Sequence, residues 1–169
     1  MQLTAQSHIE QTVMEQTLHN AFKLQRSHFL EQGIETLAQR KQHLLNLKAL
    51  INNHREAIID ALNQDYGNRS RHETLLAEII TVTDDINGSI KHLKQWTKVQ
   101  SRHVDHSLYF GAKNRVIPQP LGVIGVIVPW NFPINLMFSQ LSAVFAAGNT
   151  AMVKMSENSR HLAQLLIEL

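Results

Sequence analysis

One side-chain amide lies where an open α/β sheet would place a ligand. Asn131 follows Pro129 and a short apolar run, residues 123–128. Its N–H group is a neutral donor that can stabilise negative charge developing on an oxygen atom at any working pH. The alternative is that Asn131 caps a helix that begins near Pro133. From the residue pattern alone, the helix cap is the favoured interpretation.

A second pair of polar side chains lies near the end of another β-rich run, residues 150–155. Lys154 and Glu157 offer a donor and an acceptor that can bind the hydroxyl groups of a ligand. The alternative is a solvated ion pair beside a strand end, with Ser156 capping the last helix. The pattern alone favours the solvated pair.

The elements that would position these side chains form a compact unit. Residues 123–128 are β-branched apart from Gly125 and are too few for a helix, so they predict a strand buried on both faces. Residues 134–147 predict a helix that has Pro133 in its first turn and Gly148 as its left-handed cap. With a second strand following, the order predicts a right-handed βαβ unit of a parallel sheet, which binds ligands at the carboxyl ends of its strands.

Four short segments carry a family resemblance: Pro120-Leu-Gly122, Pro129-Trp-Asn-Phe-Pro133, Ala146-Ala-Gly-Asn-Thr150 and Lys154-Met-Ser-Glu157. Together they resemble the aldehyde dehydrogenase superfamily. The helical region before them is most similar to the class 3 and coniferyl aldehyde dehydrogenase branch. The resemblance begins at about Ala21 and covers the first third of a family subunit. Met155 departs from the proline usual in the family and lacks its fixed φ, which loosens the loop that aims Lys154 and Glu157.

The resemblance implies oxidation of an aldehyde to its carboxylic acid with NAD(P), the aldehyde being coniferyl, another aromatic or a fatty aldehyde. It implies that Asn131 stabilises the oxyanion formed when a cysteine thiolate attacks the carbonyl carbon. The chain has no cysteine. The expectation is therefore a truncated, inactive N-terminal fragment of a dehydrogenase that is a homo-oligomer, such as a dimer.

The resemblance also implies a cofactor site. Lys154 and Glu157 would hold the hydroxyl groups of the adenine ribose, and Val128, Pro129 and Trp130 would line the cofactor side. The Glu157 carboxylate would repel a 2′-phosphate, so NAD is the expected cofactor and NADP remains compatible. For Trp130 the alternative is a core position in a strand–helix turn. No G-x-G-x-x-G fingerprint is present, so the pattern alone does not indicate a nucleotide site.

Composition excludes several classes of protein. The 169 residues are 43% hydrophobic and carry a net charge of +2 with acids and bases interspersed, which gives no indication of nucleic acid or an anionic membrane as partner. No apolar run reaches the roughly 18 residues of a membrane span. The first residues lack a secretory pattern, which predicts a cytoplasmic protein. His103 and His106 form a weak metal pattern without a third ligand, so no metal is expected.

The first hundred residues have helical periodicity. Helices are predicted over residues 1–32 and 34–51, followed by a short helix ending at Gly67 and a long helix ending near Trp96. Capping boxes are predicted at the starts of the last two helices: Asn53 with Glu56, and Ser70 with Glu73. Charged residues on the early helices are interpreted as solvated surface: Arg40, Lys41, Lys48 and Arg55.

Residues 108–110 and 115–117 flank a glycine-containing turn at 111–114, which predicts a β-hairpin. The resemblance implies that this hairpin belongs to the oligomerisation element, whereas the alternative is a surface hairpin. The expected fold is α/β. It has a helical part (1–106), a hairpin (107–118) and the first, incomplete βαβ of a parallel dinucleotide-binding sheet (119–169). The alternative function is a helical and hairpin interaction module that pairs with an intact homologous subunit.

Overall fold

The computed structural model describes the main chain of residues 2–169 and the side chains of residues 12–169. The elements, in chain order, are α1 (Gln2–Gln32), α2 (Leu37–Asn53), α3 (Arg55–Tyr66), α4 (Arg71–Thr74), a π-helical turn (Leu75–Ile80), α5 (Thr81–Trp96), β1 (Gln100–Arg102), β2 (Asn114–Val116), β3 (Val123–Ile127), α6 (Pro133–Ala147), β4 (Thr150–Lys154) and α7 (Arg160–Glu168).

The predicted helices are present, but α2 and α3 begin later than predicted. Helix α2 begins after Thr36, whose hydroxyl accepts from the Gln39 N–H at 3.3 Å while the Gln39 side chain accepts from the Thr36 N–H at 2.9 Å. This capping box was not predicted. Ile34, the predicted first residue of α2, lies outside the helix and is exposed.

Both predicted capping boxes are wrong. The N-cap residue of α3 is His54, and no side chain caps that helix; Glu56 instead binds Arg71, with Oε1 2.6 Å from Nη2. Ser70 is the N-cap residue of α4 as predicted, but its side chain makes no capping hydrogen bond. The residue spacing of a capping box is a weak signal, because the glutamate can form an ion pair with a nearby arginine instead of binding the helix start.

Strands β3 and β4 with α6 between them confirm the predicted βαβ unit. The strands pair in parallel from Val123 opposite Thr150 to Ile127 opposite Lys154. Helix α6 starts with Pro133 at its first turn and ends at Gly148 in the left-handed region, with φ of +82°. The predicted burial of the first strand on both faces is wrong, because Ile127 is 82% exposed.

Helix α1 covers part of this small sheet. Its contacts reach both β3 and β4. The Gln25 amide donates to the Ala151 carbonyl oxygen at 3.1 Å. The amide N–H groups of Thr150 and Val128 donate hydrogen bonds of the ladder between the two strands, so they point to the shared side of the pair. Since main-chain groups alternate along a parallel strand, the Ala151 carbonyl lies on the outer edge of β4, and Gln25 satisfies it there.

The predicted hairpin exists with a different first strand. Strand β2 pairs antiparallel with β1, in the register Gln100 opposite Val116 and Arg102 opposite Asn114. Residues 108–110, predicted as the first arm, lie in the loop between the strands and are exposed. Apolar character was misleading here. The placement of this hairpin at a subunit interface stays a prediction, as do the domain boundaries.

A single hydrophobic core joins the helical part to the βαβ unit. Its fully buried members come from α2, α3, α5, α6 and α7: Leu44, Ile51, Ile58, Leu62, Val82, Ile86, Ile134 and Leu162. Helix α6 packs against both α2 and α5. Because α6 leads directly out of the loop that contains Asn131, this packing fixes where that loop lies.

Candidate functional site

Asn131 lies in the loop between β3 and α6, at the carboxyl end of β3. Its side chain is exposed, and within residues 12–169 no group hydrogen-bonds the amide. The N-cap residue of α6 is Phe132, and no side chain of its own segment caps the helix. The helix-cap interpretation of Asn131 is therefore wrong, and its N–H group is available to a ligand.

The main-chain carbonyl of Asn131 is hydrogen-bonded by two side chains, although the Asn131 side chain itself has no hydrogen bond to the described residues. The Arg69 guanidinium donates from Nη1 to the Asn131 carbonyl oxygen at 3.0 Å. The single O–H of Tyr66 is shared between the same oxygen and the Trp130 carbonyl oxygen, which lies 2.5 Å from the hydroxyl oxygen. Arg69 is buried and lies against two aromatic rings, 4.4 Å from the Tyr66 centroid and 4.8 Å from that of Phe132.

A buried carboxyl group caps α6 from another helix. Glu78, in the π-helical turn, is fully buried and accepts from the Ile134 N–H at 2.7 Å and the Asn135 N–H at 3.3 Å. Its Oε1 lies 3.0 Å from Arg69 Nη1. Burial raises the pKa of Glu78, and Arg69 and the two N–H donors lower it by less. The first turn of a helix is where unpaired N–H groups favour such an acceptor.

The other end of α6 also meets a charge from the helical part. Arg40 is 5% exposed and donates from Nη1 to the Ala146 carbonyl oxygen at 3.3 Å. Its Nε donates to the Glu35 carbonyl oxygen at 3.2 Å. The interpretation of Arg40 as solvated surface is wrong. A cation at the carboxyl end of a helix is favoured by the helix dipole and by the free carbonyl groups there.

Lys154 and Glu157 meet at the carboxyl end of β4. Lys154 Nζ lies 3.3 Å from Glu157 Oε1, and both side chains are exposed. Ser156 does not cap the last helix: the N-cap residue of α7 is Ser159. The acceptor at that helix start is Asp65, which receives the N–H groups of His161 and Leu162 at 2.9 and 3.0 Å. The pair is thus open to solvent and to a ligand.

The three apolar residues assigned to the cofactor side are placed differently from one another. Val128 is 2% exposed, so its side chain belongs to the core, while its N–H donates to the Lys154 carbonyl oxygen at 2.9 Å. Pro129 and Trp130 are exposed. The Trp130 ring lies 6.3 Å from that of Tyr66, between centroids. The core interpretation of Trp130 does not hold, because more than half of its side chain is exposed.

Sequence reasoning missed Tyr66, Arg69 and Glu78. A signal for Glu78 was available: it lies four residues before Val82, on the buried stripe of the long helix. A lone acidic residue on an apolar stripe is rarely buried without a partner. Nothing in the sequence marks Tyr66 or Arg69, because their partners lie more than sixty residues away.

Metal binding and membrane insertion find no support among the described residues. No group of three or more His, Cys, Asp or Glu side chains within residues 12–169 is arranged to hold a metal ion. His103 and His106 therefore gain no third ligand there. None of the described helices is long and apolar enough to cross a membrane.

Comparison with known proteins identifies the family and the fold. A family model described as "Aldehyde dehydrogenase family" matches residues 8–169. Among curated relatives, a coniferyl aldehyde dehydrogenase from Pseudomonas sp. strain HR199 is 43% identical over 147 residues, which is 87% of this chain and 30% of the relative. The chain thus spans about a third of the length of the curated relatives it matches.

Solved structures share the fold. The substrate-bound state of Staphylococcus aureus AldH superposes with a TM-score of 0.82 at 29% identity, over 88% of this chain and 32% of that one. An NAD-dependent benzaldehyde dehydrogenase from Corynebacterium glutamicum gives 0.72 at 25% identity, with coverages of 88% and 32%.

Proposed function

Because this chain belongs to the aldehyde dehydrogenase family, we propose that it supplies the oxyanion donor and part of the cofactor site of an enzyme that oxidises aldehydes to carboxylic acids with NAD(P). The observation that carries the proposal is the Asn131 amide: it is exposed at the carboxyl end of β3 and unpaired within the described side chains, while its main chain is fixed.

The Asn131 amide suits the first step of this reaction. When a thiolate adds to an aldehyde, the C=O π electrons move to oxygen and leave an oxyanion. A pre-positioned neutral N–H donor stabilises that charge, and it does not titrate over the working pH range. The 169 residues contain no cysteine. The nucleophile therefore belongs to another segment, and we expect no turnover from these residues alone.

The end of β4 fits a nicotinamide dinucleotide. Glu157 offers carboxylate acceptors to a ribose diol and Lys154 offers a cationic donor, and both side chains are exposed at the edge of the sheet. The cofactor would accept the hydride that leaves the substrate carbon. A carboxylate repels a 2′-phosphate, which favours NAD, and the adjacent ammonium group reduces that repulsion enough for NADP to remain compatible.

The proposed substrate is coniferyl aldehyde or a related aromatic aldehyde. Support comes from the relatives: three coniferyl aldehyde dehydrogenases, two of them designated probable, are 37–43% identical to this chain. We also propose that the enzyme is a homo-oligomer in which the β1–β2 loop packs against a second subunit. Its apolar residues are open to solvent, with Phe110 99% exposed.

The test is a hybrid subunit in which this chain replaces the matching segment of the Pseudomonas coniferyl aldehyde dehydrogenase. Asn131→Ala should lower kcat for coniferyl aldehyde by about 100- to 1000-fold, because one oxyanion donor is lost. The KM should change much less, since the donor acts mainly in the transition state. Reduction of NAD measures both constants.

Asn149→Ala is the matched control. Asn149 is the other asparagine of the βαβ unit close to a strand, and its Oδ1 accepts from the Leu121 and Gly122 N–H groups, away from the sheet's carboxyl end. Its loss should reduce stability rather than kcat. The 169-residue chain serves as the blank. An unchanged kcat in folded Asn131→Ala would refute the donor role.

A further inference from the structure

Two contacts hold the loop that carries Asn131 from its protein side. The Tyr66 hydroxyl lies between the carbonyl oxygens of Trp130 and Asn131 and shares its single proton with both as a bifurcated donor. The Arg69 guanidinium donates to the Asn131 oxygen at 3.0 Å. Arg69 itself lies against the rings of Tyr66 and Phe132. The carbonyl of Asn131 is therefore fixed by the last residue of α3 and by a residue of the segment that follows it.

The following residues are fixed just as closely. Glu78 accepts from the Ile134 and Asn135 N–H groups, and the Asn135 side chain donates to the Ala77 carbonyl oxygen at 2.9 Å. Glu78 and Ala77 both belong to the π-helical turn. A π turn widens a helix and displaces its carbonyl groups, and such turns recur at functional sites. The turn presents an acceptor to the Asn135 side chain.

Several buried polar atoms of this network have no hydrogen bond to the described residues, which is unexpected if the network serves only to stabilise the fold. Arg69 Nε and Nη2 and Glu78 Oε1 are buried without a hydrogen-bond partner in the described part of the chain. The 3.0 Å contact between Arg69 Nη1 and Glu78 Oε1 is a close approach of charges without hydrogen-bond alignment. Buried ion pairs often stabilise a fold less than apolar residues of the same volume, so stability alone does not explain this pair.

We propose that Tyr66 and Arg69, supported by Glu78, are positioning residues for Asn131: they clamp its main-chain carbonyl so that its amide points to the carboxyl edge of the sheet. The inference rests on the proposed role of Asn131 as the oxyanion donor. The side chain of Asn131 makes no hydrogen bond within the described residues. The hydrogen bonds that fix its position therefore act on its main chain, where the clamp lies.

The first test measures the loop itself in the 169-residue chain. Tyr66→Phe keeps the ring beneath Arg69 and removes only the O–H donor. Amide hydrogen exchange over residues 130–135 should become about three- to tenfold faster, as expected when one hydrogen bond closing a local opening is lost. Tyr109→Phe is the matched control, since Tyr109 is the only other tyrosine and lies exposed in the β1–β2 loop. Unchanged exchange in Tyr66→Phe overturns the proposal.

The second test is a double-mutant cycle in the hybrid subunit with coniferyl aldehyde. Tyr66→Phe should lower kcat by about 10- to 100-fold when Asn131 is present, because small displacements of a reacting group are costly. In the Asn131→Ala background the same change should alter kcat by less than about twofold. Equal factors in the two backgrounds would mean a merely structural role and would overturn the inference.

The two tests separate this inference from the proposed function. If Asn131→Ala leaves kcat unchanged, the oxyanion role fails, and the exchange measurement still decides whether Tyr66 clamps the loop. Arg69→Lys provides a second variant: it keeps the charge beside Glu78 and loses the planar guanidinium. It should accelerate exchange over residues 130–135 as Tyr66→Phe does, and an unchanged rate would remove Arg69 from the clamp.

Discussion

At the scale of single residues, two ionisable side chains are buried beside the loop that carries Asn131. Arg69 and Glu78 are both nearly inaccessible to solvent, and burial of ionised groups is costly unless each is well paired. For Glu78 the cost is visible in its raised pKa, whose main cause is desolvation. The buried carboxyl group also fixes the start of α6, because it accepts hydrogen bonds from two N–H groups there.

The raised pKa of Glu78 predicts a pH dependence of stability. The folded state holds this proton more tightly than the unfolded chain, in which the pKa is near 4.5. The free energy of unfolding should therefore be highest at or below that pH and should fall as the pH rises through the raised value. Urea unfolding between about pH 4.5 and 8 measures this slope.

Glu78→Gln is the matched variant for this measurement. It keeps an oxygen acceptor for Ile134 and Asn135 but does not titrate, so the fall in stability with pH should be smaller than in the unaltered chain. All other ionisable groups are the same in the two proteins, so their contributions cancel in the difference. Identical slopes would show that burial does not raise the pKa of Glu78.

At the scale of elements, helix α6 is secured at both ends by the helical part. Glu78 accepts at its amino end and Arg40 donates to the Ala146 carbonyl at its carboxyl end. Both charges have the sign that the helix dipole favours. Asp65 does the same for the amino end of α7. The helical part thus supplies capping side chains for α6 and α7, because neither helix is capped by the side chain of its own N-cap residue.

A substitution at Gly148 tests how much the carboxyl end of α6 contributes to the stability of the fold. The φ of this glycine is +82°, and an added Cβ would lie 2.6 Å from Arg40 Cζ. Gly148→Ala should lower the free energy of unfolding by at least about 1–2 kcal/mol, the cost of a left-handed alanine, before Arg40 is displaced. For a chain of this size the midpoint of thermal unfolding should fall by about 2–4 °C per kcal/mol.

Gly88→Ala is the control for that substitution. Gly88 lies within α5, and an added Cβ there would have no atom within 4 Å. The change should be neutral or stabilising by up to about 1 kcal/mol, since alanine favours a helix interior. If both variants unfolded at the same temperature, the close approach of Arg40 to Gly148 would not matter to the fold.

At the scale of the whole molecule, the described residues leave apolar surface open to solvent in several places, two of which lie among the strands. One is the face of the two-stranded parallel sheet that presents Ile127, and the other is the β1–β2 loop with Phe110 at full exposure. A parallel sheet normally has both faces covered, and exposed strand edges pair readily with other chains.

These surfaces predict self-association of the 169-residue chain. Light scattering should show assemblies whose size grows with protein concentration, and Ile127→Lys should reduce them by placing a charge on the sheet face. Phe110→Ser should reduce them if the loop is a subunit contact. Leu76→Lys, an exposed leucine outside both surfaces, is the control. A monomer at every concentration would contradict the prediction.

Local sequence was sufficient for much of the outline. The run 123–128, Pro133 and Gly148 predicted the strand, the start of α6 and its end, because chain stiffness and backbone conformation are properties of neighbouring residues. The same stretch placed Asn131, Lys154 and Glu157 at strand ends. The family resemblance came from these residues too, and the match over residues 8–169 confirms it.

Long-range contacts set the rest. Tyr66 and Arg69 lie more than sixty residues from Asn131, Arg40 lies 106 residues from Ala146, and Glu78 reaches α6 across 56 residues. A charged side chain is solvated or buried according to which partner the packing brings to it, and no local pattern contains that partner. For the same reason the cap of α6 came from Glu78 and left the Asn131 amide free.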